Sequence, residues 1–265
     1  MNDEDPIELL MPSASVSRVL AAYAKARESL GSVRAKSAPR IWDNIDFAAP
    51  ARGLGRFVNE SLLGLSGGIP PETEEYAGDV RHHLSAELNI MGPDDLDECF
   101  WNIVNGMPAT RRFRRVHDAR DVNELTRNFT GLGWSGFSVQ SGSRSEAEQL
   151  RRQRMFADAL RREEDWTHVR VWELAEAACL IENAIFVEMI TEADAQPYWQ
   201  RVGAELIVRC ASWNAAARAM LFARVFEAIG DGIMAAQFSI AHDTENLLRL
   251  LENDWRLIAW PRIAS

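Results

Sequence analysis

The residues in this chain that could do chemistry are five histidines, three cysteines and a group of carboxylates inside an apolar stretch. His82, His83, His117, His168 and His242 fall in no metal-ligand spacing. His168, Trp172 and Glu176 follow at i, i+4 and i+8, which would put them on one helix face, but one histidine and one glutamate are too few ligands for a metal. A capping or solvent-exposed pair is the expectation there, and His82-His83 is expected at the surface. Glu173, Glu176 and Glu182 interrupt the apolar run 171–190, and an acid inside an apolar helix would titrate abnormally and could serve as a general acid or base. The ordinary alternative is that such acids pair with arginines of a neighbouring helix.

Other catalytic signatures fall short. Gly133-Trp134-Ser135-Gly136 is one residue short of a nucleophile elbow, and the glycines around it lack the Lys-Ser/Thr of a phosphate-binding loop. Arg111-Arg112-Phe113-Arg114-Arg115 is the densest basic run; Asp118, Asp121 and Glu124 follow it. It reads as an exposed segment that meets the protein's own acidic surfaces, not as a nucleic-acid site. No cofactor and no metal are expected.

Composition narrows the classes further. The 265 residues are 47% hydrophobic and include nine tryptophans and eleven phenylalanines, enough for a core in which aromatic packing dominates. Cys99, Cys179 and Cys210 are odd in number and widely spaced, which argues against a disulfide framework or zinc site and suits a cytoplasmic protein. The acidic start and the lack of about 18 uninterrupted apolar residues predict neither a signal peptide nor a membrane span. The net charge of −10 is unevenly spread: residues 1–110 carry 9 basic and 17 acidic groups, 111–170 carry 13 and 9, and 171–254 carry 5 and 13. The flanking segments at −8 each suit a basic protein partner, while only the middle one, at +4, is basic.

These residues must be positioned by helices, since strand patterns are nearly absent and no repeat is visible. Residues 1–13 read as a mobile arm ending in an N-cap signal, and 14–265 as one helical domain with an N-terminal subregion 14–129 and a helical core 144–265. Helices are expected over 14–30, closed by Gly31, then over 43–65 and 72–88. A short aromatic one, entered at Gly92-Pro93-Asp94-Asp95, should end at Gly106. A Gly/Ser-rich loop near 130–143 precedes helices over 144–165, 167–190, 192–210, 212–230 and 243–252, with Thr191, Ser212 and Asp243 as N-caps and Gly230 as a stop. The fold class is an all-α, single-domain orthogonal helical bundle.

Val171-Trp172-Glu173-Leu174-Ala175, Ile190-Thr191-Glu192-Ala193-Asp194-Ala195 with Ser212-Trp213 beyond it, and the ending Asn253-Asp254-Trp255-Arg256-Leu257-Ile258-Ala259-Trp260-Pro261 form a recognisable set. With a weaker stretch from Asn89 to Gly106, this part of the chain, about 88–261, resembles the bacterial domain-of-unknown-function family numbered 1266. The resemblance implies a helical fold and no established activity. Where it leads one to expect arginines one and two turns after the tryptophan, this chain has Glu176 and Glu182.

Trp172, Trp213, Trp255 and Trp260 are read either as packing anchors or as walls of a pocket with Glu173, Glu176, Arg224 and Arg256 at its rim. Two functions follow. The first is a non-enzymatic interaction protein, toxin-neutralising (immunity-like) or regulatory, that binds a basic partner through an acidic helical surface. The alternative is a hydrolase-type enzyme with carboxylates such as Glu173, Glu176 and Glu182 between the 171–190 helix and the C-terminal tryptophans.

Overall fold

The computed structural model describes residues 10–33, 47–63, 73–119, 146–258 and 260–261. Helix α1 (Ala14–Ser32) starts where Ser13 Oγ accepts the N–H of Val16, and it buries Val16, Val19, Tyr23, Ala26 and Leu30 at helical spacing. It passes through Gly31, where the nearest outside atom to an added Cβ would be Arg218 Nη1 at 3.9 Å, so nothing there forces a stop. Helix α2 is Ala48–Leu63; its expected start at 43 falls outside the described residues. Helix α3 (Glu74–His82) is capped by Thr73 and runs on into a π-turn, His83–Glu87.

Helix α4 (Pro93–Gly106) carries Pro93 at its first turn with Asp94 and Asp95, which suits the helix dipole. Met107, at φ 46°, ends it by donating its N–H to Ile103 O. The arginine run, expected as an exposed segment, lies on helix α5 (Pro108–Asp118), whose other face buries Ala109, Thr110, Phe113 and Val116. Arg111, Arg114 and Arg115 do face solvent. The arm and the Gly/Ser-rich loop lie largely outside the described residues, but Leu10 already donates its N–H to Asp158 Oδ2 at 3.0 Å.

The second half is α6 (Glu146–Leu160), α7 (Trp166–Phe186), α8 (Glu192–Arg209), α9 (Trp213–Asp231), α10 (Ile233–Glu252) and the short α11 (Asp254–Leu257). Thr191 and Ser212 cap α8 and α9 as expected. Asp243 and Gly230 do not act as expected. Helix α10 begins ten residues before Asp243, which is buried at 0% exposure and accepts the hydroxyl of Ser239 at 2.5 Å. Helix α9 runs through Gly230, whose missing side chain leaves room for Gln153, and ends at Gly232 with φ 147°, a backbone that favours glycine.

Helix α7 is the axis of the bundle: 15 of its 21 residues are buried, and it packs against α2, α4, α5, α8 and α9. A helix apolar on all sides belongs at the centre of a bundle. Around it α9 packs on α6 and α10, and α1 on α9 and α10, so one continuous core joins every element from α1 to the C-terminal tryptophans. Among the described residues there is no strand, and no helix is long and apolar enough to cross a membrane.

Close approach of α8 to the residue before α2 depends on Gly203, where an added Cβ would overlap the backbone carbonyl of Phe47. Gly203→Ala should therefore lower stability by about 1–3 kcal/mol. Gly78→Ala, on the open face of α3 where a Cβ meets nothing, should instead add about 0.5–1 kcal/mol. Urea midpoints of the two variants, moving in opposite directions from wild type, check this.

Candidate functional site

Of the nine residues singled out in the sequence, Glu182 stands alone and the other eight fall into three groups. The first joins α7 to α4 and α5. Glu173 is fully buried; its carboxylate accepts the Thr110 N–H at 2.9 Å, the Thr110 hydroxyl at 2.7 Å and Arg170 Nη1 at 3.1 Å. Arg170, 1% exposed, also donates to the carbonyls of Ile103 and Val104 and to Glu205 on α8. One buried ion pair thus satisfies an N–H in the first turn of α5 and two carbonyls in the last turn of α4. Burial raises the pKa of Glu173, while Thr110 and Arg170 oppose that rise.

The second group lies one turn along α7. Trp172 meets Phe57 edge-on at 6.0 Å, and the Arg224 guanidinium lies 5.1 Å from its ring centroid. Arg224 reaches Glu227 at 3.3 Å and Asp243 at 3.5 Å. Glu176, 2% exposed, faces this centre, and its Oε1 and the Trp172 Nε1 find no hydrogen-bond partner among the described residues. Burial pushes the Glu176 pKa well above the usual carboxylate value; Glu227 and Glu173 add to the shift, and Trp172 and Arg224 oppose it. Burial at this position thus favours the neutral form of Glu176 over the charged one. His168, expected to share this face, instead closes the N-terminus of α7: its Nδ1 accepts the N–H of Asp165, the capping role anticipated for it.

Glu182 stands apart, two turns further on. Its Oε2 packs against Gly55, where there is no room for a Cβ, and accepts Asn59 Nδ2 at 3.2 Å. Burial raises its pKa to about 8 against the opposing pull of Arg56 and Arg52. Cys179 beside it is fully buried and donates its Sγ–H to Asn59 Oδ1, and burial raises its thiol pKa well above the ordinary value, which disfavours the thiolate.

The third group is the C-terminal clasp. Trp213 stacks on Trp255 at 4.5 Å and meets Trp260 edge-on at 4.9 Å. Every indole N–H in it is used: Trp213 on Ile258 O, Trp255 on Gly53 O and Trp260 on Cys210 O. Gly53 lets the rings approach, since a Cβ there would lie 2.8 Å from Trp213 and Ile258. These are the packing anchors of the first reading. Arg256 is exposed on the short α11. A cleft of about 610 Å³ opens elsewhere, between the start of α1, α6 and the start of α10, and none of the nine residues lines it. Among the described residues no group of histidines, cysteines and acids is arranged to hold a metal.

Sequence reasoning missed Arg170, Thr110, Asn59 and Glu205, and it read Asp243 as an N-cap and not as a partner of Arg224. The Arg170–Glu173 spacing of i, i+3 was the one available signal, since such a pair shares a helix face.

Two measurements follow. Arg170→Met removes the positive charge that meets buried Glu173 and the donor to the Ile103 and Val104 carbonyls, of which Ile103 O keeps only the Met107 N–H, and should cost about 3–5 kcal/mol in urea unfolding. Glu182, whose folded pKa lies above its unfolded value, binds its proton more tightly in the folded state, so its contribution to stability is full below about pH 4.5 and is lost as pH rises towards about 8. Glu182→Gln should recover on the order of 2 kcal/mol at pH 8 and little at pH 4.5, read as a flatter dependence of the urea midpoint on pH.

Comparison with protein-family models, with curated proteins and with solved structures found no match.

Proposed function

We propose that this protein is a non-enzymatic interaction protein that binds a basic protein partner, in the manner of a toxin-neutralising or regulatory factor of the bacterial cytoplasm, and that it belongs with the family numbered 1266. The observation that carries the binding reading is an acidic face with an aromatic centre, formed by α4 and α8. Asp97 accepts both the Trp101 indole N–H and the Tyr198 hydroxyl, each at 2.9 Å, and so locks two half-buried rings side by side. Asp94, Asp97, Glu98 and Trp101 follow the i, i+3, i+4, i+7 spacing of one helix face, with Asp94 and Glu98 exposed. Across from them Asp194 acts with Asp97 on Tyr198, whose pKa rises to about 12 through burial and these two carboxylates.

Half-buried aromatics ringed by carboxylates suit the arginine and lysine side chains of a partner: the rings offer area and cation–π contact, and the acids steer the approach. Nothing comparable favours hydrolysis. Glu173, Glu176 and Glu182 point into different packing environments, and each raised pKa has a packing cause.

The test compares tagged wild type with the double variant Asp94→Lys/Glu98→Lys in pull-downs from the native lysate. A stoichiometric basic protein should elute from wild type and be released by 0.5 M salt, as expected for contacts screened beyond a few ångströms at about 1 M ionic strength. The variant, assayed well below its own melting temperature because Asp94→Lys puts a cation at the N-terminus of α4, should retain less than a tenth of it. Equal recovery by both proteins would remove this face from the binding reading.

A further inference from the structure

The cleft between the start of α1, α6 and the start of α10 combines features that the acidic face lacks. Its volume, about 610 Å³, lies within the roughly 300–1,000 Å³ of small-molecule sites. Its charge runs against that of the protein as a whole. Arg151 and Arg152 line it, with Glu148 as the acid among the lining residues. Glu148 is already engaged by Arg152 Nη1 at 2.5 Å, while the rest of the Arg152 guanidinium is bound by the carbonyls of Ile229 and Gly230 at the end of α9. Arg151 is exposed at the cleft and pairs with no acid among the described residues.

The backbone adds to this field. Helix α10, 20 residues long, starts at the cleft with Ile233 and has no side chain capping its first N–H groups. Ser13 and Ser15, hydrogen-bonded to each other through their hydroxyls, also line it, and the rest of the lining is apolar. Met155 and Val16 form the buried part, Ile233 and Met11 the open part, and Met11 is 85% exposed. Next to Ile233, Met234 is 83% exposed. Exposed methionines beside a concave apolar wall mark a surface that gains by being covered.

We infer that this cleft binds a small amphipathic anion, a carboxylate or phosphate monoester carrying an alkyl chain, with the head group at Arg151 and the chain against Met11, Met155 and Ile233. The site is separate from the acidic face of α4 and α8, and the two stand or fall independently. Arg151 supplies charge without being tied into the fold, and the apolar wall supplies most of the affinity, at about a fourfold gain for each methylene buried.

The test is isothermal titration calorimetry of the full chain with dodecanoate below its micelle concentration. One molecule should bind per chain with a Kd on the order of 10 µM. Octanoate should bind about two orders of magnitude more weakly, and acetate or inorganic phosphate should show no heat. Arg151→Glu, which breaks no contact of the fold, should weaken dodecanoate at least tenfold. Ile233→Asp, which suits the first turn of a helix, should do the same. Identical binding by wild type and both variants, or no binding of dodecanoate to wild type, would overturn the assignment. So would capture of the protein by phosphatidylglycerol vesicles without binding of free dodecanoate, because the ligand would then be a membrane surface and not a single molecule in the cleft.

Discussion

The buried Arg170–Glu173 pair is the constraint on which the arrangement of the first half depends. A helix packed on every side, as α7 is, has no solvated face on which to place charge, so each ionised group on it must meet a partner or lose its charge. Arg170 and Glu173 solve this by serving other elements. The guanidinium donates to the Ile103 and Val104 carbonyls at the end of α4, the first of them shared with the Met107 N–H, and the carboxylate takes an N–H at the start of α5. The reversal between α4 and α5 is tight, only Met107 in a left-handed conformation, and its free backbone groups are pressed against α7. Remove the pair and the same turn would bury unsatisfied peptide groups.

Elsewhere on the axis the second solution applies. Glu176 and Glu182 have weaker partners, and burial drives them towards the neutral form. Glu227, in the Arg224 centre, is raised in the same way by burial against the pull of Arg224 and Arg112. Carboxyls whose pKa is raised by folding make the fold less stable as pH rises, the reverse of the common case in which salt-bridged carboxylates are lost in acid. The counterweight is Glu205, whose pKa is lowered by Arg170 and Arg209 once its own burial is overcome. Both kinds of carboxylate converge on the same helix, so its alignment is sensitive to protonation from two directions.

What could be read from the sequence followed from local chemistry. Ser13, Thr191 and Ser212 cap helices because a short hydroxyl side chain before an apolar-periodic run has few other uses, and the Gly92-Pro93 entry into α4 is equally local. Asp243 and Gly230 carry the same residue-type signals but serve long-range packing: one is held by Ser239 and Arg224, the other accommodates Gln153. No pattern along the chain separates those uses. Helix α5 was hidden because its four arginines outweigh a buried stripe of Ala109, Phe113 and Val116, which has correct helical spacing but only three members. The tryptophans were identifiable as anchors, whereas the backbone carbonyls that accept their N–H groups come from residues 45 to 202 positions away.

The same distinction bears on function, because formal charge counted along a chain does not say where the charge resides. The −8 of residues 171–254 includes Glu173, Glu176 and Asp243, which are buried, and the half-buried Glu182 and Glu227, which meet Asn59 and Arg224; burial raises the pKa of Glu173, Glu176, Glu182 and Glu227 and so disfavours their charged forms. That segment is therefore a weaker attractor for a basic partner than its composition implies. The acids that do face outward around aromatic rings lie mainly on α4, in the other segment of equal formal charge, and α8 contributes chiefly Asp194. Burial thus moves the binding reading from the C-terminal core, where the unusual residues are concentrated, to a face whose residues are individually ordinary and matter through their arrangement about Trp101 and Tyr198.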